Sequence, residues 1–538
     1  TRGSNLSATR VDASQLIEKG RENLLPQSND FSTTWNNVDA SVTSGNEGYD
    51  GSSNAWLLSK SASHGGININ LLSSSSNVHT FSLYAKANAS QWMRMTIGSP
   101  RVNVFFNVAN GTLGEVSPNA IDTNIESVGN GWYRVSFSTT YAAWVEILPA
   151  ETMNDTGGSS GSLYIQDAQV ELGLVSTPYI ETGATTAQAG ILENTPRFDY
   201  SGGATCPSLL LEPSRTNAIT YSEYFSSWAL YAGILTPNAT ISPEGVQNAY
   251  LFTEDTTTGY HRFSSGAPSA TSSNKLYSVY AKWAGGTGRK WLTVDNGPTA
   301  WFDLENGVVG AAQGSVVISM EDVGNGWYRC IYYNPASTTS GIFIGIALNN
   351  GGAGNHLGNG QPAFSIYGAQ CEDNTSYATS YIPTYGVSQT RARDECVGAG
   401  DSSTFNSSEG VLFWEGSILS NTTIPGAIAL IGAGSSNRVQ FYNLGTSFVT
   451  LIQVGGSIVF QTSTGGTIDI TTNHKYAVKW ALNDFALWVD GVEIATDTSG
   501  ATFPNNTLNQ LRFSDFGTNY LYANTKQAIT FNEALSDL

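Results

Sequence analysis

The sequence predicts an all-β protein made of three sandwiches, two of which are copies of one domain. Three observations predict it. A seven-residue run recurs 195 positions apart. Short runs of alternating apolar and polar residues are separated by Asn-Gly and Asp-Gly turns. The 3.6-residue periodicity of amphipathic helices is nearly absent.

Composition narrows the function classes. Of 538 residues 12% are charged, about half of the ~25% usual in soluble domains. Hydrophobic residues make up 40% and aromatics 11%, too much for a disordered chain. No apolar run approaches the ~18 residues of a membrane-spanning helix. A net charge of −19 argues against nucleic acid and against an anionic lipid surface. Four cysteines, Cys206, Cys330, Cys371 and Cys396, lack metal-ligand spacing and read as small packed thiols. A Cys330–Cys371 bridge stays open, because pairing cannot be deduced from sequence. The low charge and abundant Ser, Thr, Asn and Gly fit extracellular β-proteins. The chain opens without Met or a signal peptide and reads as a processed product or part of something longer.

Residues 1–20 read as a connector arm, because Ile17-Glu18 and its surroundings resemble Ile191-Leu192-Glu193; an amphipathic helix over 12–19 is the competing reading. Residues 21–183 and 215–386 are the two copies. Val128-Gly129-Asn130-Gly131-Trp132-Tyr133-Arg134 recurs as Val323-Gly324-Asn325-Gly326-Trp327-Tyr328-Arg329. Tyr84-Ala85-Lys86 matches Tyr280-Ala281-Lys282, and Ala168-Gln169-Val170-Glu171 matches Ala369-Gln370-Cys371-Glu372. Asn110-Gly111 and Asn306-Gly307 read as hairpin turns. Short strands with regular turn signals predict a sandwich or jelly roll. Residues 184–214, with their apolar Leu209-Leu210-Leu211, are too apolar for a free linker and read as a packed hairpin. A linker over 387–400 leads to a third domain over 401–538. There His474–Trp480 and Phe485–Val489 alternate, and Asp490-Gly491 is a turn signal.

The stretch H-K-Y-A-V-K-W…F-A-L-W-V-D-G-V-E resembles the central hairpin of concanavalin A-like, laminin-G-type sandwiches. The Y-A-K, F-x-x-x-N-G, V-G-N-G-W-Y-R and A-Q-x-E marks of the repeats resemble jelly-roll carbohydrate-binding modules. The combination R-F-D-Y-S-G-G-A-T-C-P-S-L-L-L-E-P-S-R-T-N, Y-S-E-Y-F-S-S-W, T-x-Y-I-P-T and T-R-A-R-D resembles bacteriophage virion surface proteins: tail fibres, head fibres or capsid decorations. That resemblance implies tandem jelly-roll β-sandwiches followed by a concanavalin A-like β-sandwich. It also implies virion-surface location, host-surface polysaccharide or glycan and other virion proteins as partners, and a homo-oligomer, by analogy with fibres a trimer. No sustained heptad supports a trimer stalk.

Catalytic signatures are scarce. The five histidines form no HxH or HExxH, and no nucleophile elbow or phosphate loop is present. His64 and His261 fall at matching places in the copies and read as structural or as a shared ligand position. Two carboxylates suffice for glycoside hydrolysis, but their separation is not legible in sequence. The chain is therefore read as a non-enzyme with no required cofactor. Jelly rolls often hold a structural Ca²⁺ through oxygen ligands, and the repeat-matched Glu171 and Glu372 are the candidate ligands.

Sugars stack their C–H faces on aromatic rings and hydrogen-bond to neighbouring polar groups. Tryptophans matched between the copies, such as Trp132 with Trp327 and Trp92 with Trp291, read as shared core. Trp144 and Trp283 lack aromatic partners and are the candidate sugar contacts, with Trp488 of the third domain, where either Trp488 or Leu487 faces outward. The sequons, Asn421 among them, carry no weight in a chain this rich in Asn, Ser and Thr. The expected function is adhesion by weak saccharide binding multiplied by copy number. Pure decoration without a ligand, a polysaccharide depolymerase and a cellular secreted lectin are the rival readings.

Overall fold

The computed structural model describes residues 5–98, 101–140, 142–266, 274–337, 341–420, 426–515 and 519–536. The Asn421 sequon, the first four residues of the arm and the chain end at Leu538 lie outside them. The chain is all-β, two jelly-roll sandwiches followed by a concanavalin A-like one, and short 3-10 turns are its only helical elements among the described residues.

The front and back sheets of the two copies agree strand for strand, and the second copy adds a ribbon, Thr258–Tyr260 with Asn355–Leu357. In the first, a front sheet runs Asn36–Val38, Gly66–Ser75, Ala142–Ala150, Trp92–Ile97, Val102–Asn107, Thr112–Val116. In the second the same order is Ala229–Tyr231, Arg262–Ser264, Phe343–Ala347, Trp291–Asp295, Thr299–Asp303, Val308–Ala312. A six-stranded back sheet lies behind each. Period-2 alternation sends Leu83, Val135 and Ile165 of the first back sheet, and Val279, Cys330 and Ile366 of the second, into the core between the sheets. Cys330 and Cys371 are buried free thiols, with no bridge between them.

The repeated V-G-N-G-W-Y-R has a local cause. Gly129, Asn130 and Gly131 all have positive φ (95°, 51°, 78°), as do Gly324, Asn325 and Gly326 (87°, 54°, 76°). Three consecutive left-handed residues need glycine or asparagine. The turn then delivers Trp132 and Trp327 into buried positions. The next residue covers the Asn-Gly turn: a Cβ on Gly111 would lie 2.7 Å from the Tyr133 ring, and one on Gly307 2.6 Å from that of Tyr328.

The arm is a hairpin, Thr9–Val11 with Ile17–Lys19, and not a helix over 12–19. It docks on the back sheet of the second copy. Ile17 packs with Tyr280, Trp327, Tyr367 and Tyr381. Lys19 Nζ reaches Glu223 at 3.0 Å and also contacts Glu244.

The third sandwich sets a seven-stranded sheet against a five-stranded one around Trp414, Phe448, Tyr476 and Trp480. Asp490-Gly491 (φ 51° and 80°) turns Asp484–Val489 into Val492–Asp497. Two strands of the large sheet come from the segment between the copies. Phe198–Asp199 pairs with Ser208–Leu211, which pairs with Ala523–Phe531. Residues 389–391 in turn pair with Arg215–Asn217. The R-F-D, L-E-P and T-R-A-R-D signatures converge there: Arg197, Glu212, Arg391 and Asp394 form one buried network. Burial alone would raise the Glu212 carboxyl, but the guanidiniums of Arg391 and Arg197 outweigh it and hold it at about 2.

Candidate functional site

The solvent-facing sides of the two front sheets are the candidate binding faces, and the repeat makes them comparable position by position. On the first copy, period 2 points Trp144, Glu146, Arg94, Thr96, Asn103 and Asn68 away from the core. Register places Asn36, Asn68, Glu146, Thr96 and Asn103 side by side across five strands. They bond along the row: Asn36 Nδ2 donates to Asn68 Oδ1 (3.2 Å) and Thr96 Oγ1 to Asn103 Oδ1 (2.9 Å). Arg94 (2.6 Å) and Arg101 (3.2 Å) donate to Glu146 Oε2. Arg101, 52% exposed, also covers the ring of half-buried Trp144 at 4.9 Å. Trp144 thus belongs to a polar, hydrogen-bonding face.

The second copy carries a different chemistry on the same scaffold. Phe343 occupies the place of Glu146, Arg262 that of Gly66, and Tyr231 that of Val38, as their pairings show. The Arg262 guanidinium sits 4.0 Å from the centre of Phe343, 4.6 Å from Tyr260 and 5.8 Å from Tyr231. Asp295, across the sheet, is 3.7 Å from Arg262 Nη1. Burial raises the Asp295 carboxyl above its ordinary range against the pull of Gly297 N–H and Arg262. Arg262 Nε has no hydrogen-bond partner, so rings and Asp295 hold the side chain. Its stem needs Gly345 beneath it, where a Cβ would lie 2.6 Å from Arg262 Cβ. Tyr231 and Tyr260 are 44% and 48% exposed, unusual for such large rings. A cation ringed by exposed aromatics offers flat stacking surface with a polar centre.

The remaining sequence-derived candidates fall elsewhere. Trp283, at the end of its back-sheet strand, is partly buried against the second core, and its Nε1 has no partner; it is a packing residue because it faces the inter-sheet space. Trp488 is half-exposed and Leu487 buried, with Lys479 Nζ 5.4 Å from the Trp488 ring. Trp144, Trp283 and Trp488 therefore form no common site. Glu171 and Glu372 are buried, 2% and 0% exposed. Glu171 accepts from Gln169 Nε2 and from Thr177 N and Oγ1; Glu372 accepts likewise from Gln370 and Thr379. Both oxygens of each carboxylate accept from protein donors, so the matched pair anchors the chain at Thr177 and Thr379. His64 and His261 are not equivalent either: Gly66 and Arg262 hold the same register position, and counting two residues back from each sets His64 against Tyr260. His64 is exposed and His261 buried.

A cavity of about 820 Å³ lies where the arm, the connector and the second and third sandwiches meet. It is walled by polar groups including Gln15, Asp199, Asp322 and Asn524. Its two rings, Tyr280 and Tyr381, are 5% and 1% exposed, so it offers little surface for stacking.

Sequence reasoning missed Tyr231, Tyr260 and Phe343. The signal was available: they stand where Val38, His64 and Glu146 stand in the first copy, so the test for aromatics unmatched between copies finds them once applied beyond tryptophan.

No family model matches the chain, and no curated protein does. Solved structures give faint likenesses. The Ruminococcus gnavus IT-sialidase CBM40, solved bound to alpha2,3 sialyllactose, is 14% identical over 27% of this chain and 91% of its own, TM-score 0.22. The CBM22-1-CBM22-2 tandem of Paenibacillus barcinonensis Xyn10C is 10% identical over 65% and 97%, TM-score 0.21. Mouse laminin alpha1 LG4-5 is 8% identical over 52% and 91%, TM-score 0.19. At these scores the fold rests on the sheets described above and not on the likenesses.

Proposed function

We propose that this chain is a non-catalytic, glycan-binding protein of a bacteriophage surface, and that the front face of the second sandwich is its principal sugar contact. The observation that carries the reading is the pair Tyr231, on the front sheet, and Tyr260, on the adjoining ribbon Thr258–Tyr260, each nearly half exposed and flanking Arg262 beside Phe343. Sugar C–H faces stack on the rings while the guanidinium donates to hydroxyls. The first sandwich adds a polar face with Trp144 at its edge. Neither face is a deep pocket, so single-site affinity is weak and presentation in many copies supplies avidity, ~10²–10⁴-fold. Stacking and largely uncharged hydrogen bonds make binding depend little on salt. The phage placement, contacts with other virion proteins and a homo-oligomeric state, trimeric by analogy with fibres, rest on the resemblance of the R-F-D-Y…L-L-L-E-P…T-R-A-R-D combination.

The test is binding of the full chain to host cells and to a panel of surface polysaccharides, with Tyr231→Ala, Tyr260→Ala and Trp144→Ala variants. Saturable binding that the tyrosine variants lose supports the reading. Folded protein that binds no saccharide and does not compete with virus adsorption overturns it in favour of decoration without a ligand. Release of reducing ends from polysaccharide overturns the non-catalytic part.

A further inference from the structure

A buried cluster of Glu254, His261 and His356 lies in the second sandwich, behind the aromatic face and independent of its proposed role. One ligand atom from each falls within 4.8 Å of the others. All three are at most 8% exposed. The elements that gather them are the end of the strand Ala249–Glu254, the residue just before Arg262–Ser264, and the ribbon in which Thr258–Tyr260 pairs with Asn355–Leu357. Gly358 closes over the cluster, where a Cβ would lie 2.6 Å from His261 Cε1.

The hydrogen bonds do not close among themselves. His261 Nδ1 faces Ala232 O at 2.6 Å and Nε2 faces His356 O at 3.1 Å. His356 Nδ1 faces Gly354 O at 3.2 Å and Nε2 faces Glu254 Oε2 at 2.9 Å. Four ring nitrogens thus meet four acceptor oxygens, but two neutral imidazoles carry only two protons between them. With each Nδ1–H on its backbone carbonyl, both Nε2 lone pairs point at oxygen lone pairs. The Arg289 guanidinium neutralises Glu254 through Oε1 only, so both Nε2 atoms are left facing oxygen lone pairs with no cationic side chain between them among the described residues. Arg289 Nε, with Asn359 N at 3.1 Å, occupies Glu254 Oε1 and leaves Oε2 facing His356. Asp255 Oδ1, 3.7 Å from His261 Nδ1, adds more negative charge.

We propose that Glu254, His261 and His356 form a binding site for a divalent transition-metal ion of the zinc type. Two imidazole nitrogens and one carboxylate oxygen are a borderline-soft donor set that suits such an ion and not Ca²⁺. Each histidine already has the outer partner that metal-bound imidazoles use, an Nδ1–H on a backbone carbonyl. A tetrahedral centre with bonds of ~2.0–2.1 Å spaces its ligand atoms by about 3.4 Å. The observed separations, from 2.9 Å between His356 and Glu254 to within 4.8 Å for the set, lie on either side of that spacing. Among the described residues the first copy has nothing comparable: Lys60 ends its strand where Glu254 ends the matching one, and pairs with Glu151. The ion ties the Tyr260 ribbon to the sheet and is structural.

The experiment strips the full chain with chelator, dialyses it, and titrates it with Zn²⁺ and, in parallel, Co²⁺. The expected result is one equivalent retained through dialysis, intense visible Co²⁺ bands of a low-symmetry four-coordinate site, and a rise in Tm with Zn²⁺. His261→Ala and His356→Ala lose the retained equivalent, whereas His474→Ala, a half-buried histidine of the third sandwich, keeps it. Wild-type protein that retains no Zn²⁺ or Co²⁺ overturns the proposal. Retention unchanged in a folded His261→Ala/His356→Ala double variant overturns it as well. Should the alanine variants not fold, the wild-type Co²⁺ spectrum and X-ray absorption showing two imidazoles decide alone.

Discussion

The guanidinium of Arg262 lies 4.0 Å from the ring centre of Phe343, on the sheet where the first copy sets Arg94 against Glu146 at 2.6 Å. One scaffold thus holds its front-face arginine by ring stacking beside a looser contact with Asp295 in one copy, and by a short ion pair in the other. The exposed Tyr231 and Tyr260 complete the stacked version. Replacing either tyrosine by alanine is expected to weaken saccharide binding by about 2 kcal/mol, roughly 30-fold. Stability should change by only ~0.5 kcal/mol, as for other surface substitutions. Titration of each variant with the best-binding polysaccharide, beside its melting curve, checks both numbers.

The Arg197–Glu212–Arg391–Asp394 network joins the connector between the copies to the linker over 387–400, and Ser380 of the second copy donates to Glu212. Glu212→Gln leaves two buried guanidiniums under-compensated and should cost about 3–5 kcal/mol. The acid limb has a definite sign. The folded carboxyl, at about 2, lies below its unfolded value near 4.5, so its contribution is complete above about pH 4.5 and is lost as pH falls toward 2. Denaturant midpoints from pH 6 down to 2 should fall for the wild type across that window and fall less for Glu212→Gln.

Glu171 and Glu372 hold Thr177 and Thr379 through paired hydroxyl and amide donors. Thr379→Val removes one donor from a buried carboxylate and should cost about 1–3 kcal/mol. Added Ca²⁺ should not shift Tm. A calcium-dependent rise in Tm that Glu171→Gln or Glu372→Gln abolishes contradicts this account.

In the third sandwich the two tryptophans of the central hairpin separate by face. Trp480 is 1% exposed within the core and Trp488 looks outward over Lys479. Trp480→Ala should cost about 3–5 kcal/mol by leaving a cavity. Trp488→Ala should cost about 1 kcal/mol or less, the scale of its cation–π contact. Chemical denaturation of both variants measures the difference.

The repeat made the fold legible. Gly-Asn-Gly before Trp-Tyr-Arg encodes a left-handed turn wherever it occurs, so two copies announce two equivalent strand pairs. Alternation in His474–Trp480 and Phe485–Val489 likewise encodes a half-buried hairpin. What the sequence did not disclose are meetings of distant segments. Arg197 meets Asp394, and Glu254 meets His356, only because the sheets are closed. Trp283 lacks a repeat partner yet is packed, since a lone large residue can fill a gap between sheets as well as face solvent. Tyr231 and Tyr260 were discernible as unmatched aromatics, but their convergence on Arg262 depends on the front-sheet pairing of Tyr231 and on the ribbon that carries Tyr260.

The most direct measurement is competition between the purified full chain and virus adsorption to host cells, run with wild type and a Tyr231→Ala/Tyr260→Ala variant at low and high salt. The account predicts that wild type binds saturably and blocks adsorption almost independently of salt, and that the folded double variant does neither. Equal blocking by both proteins, or no binding by either, contradicts the assignment of glycan recognition to the second front sheet.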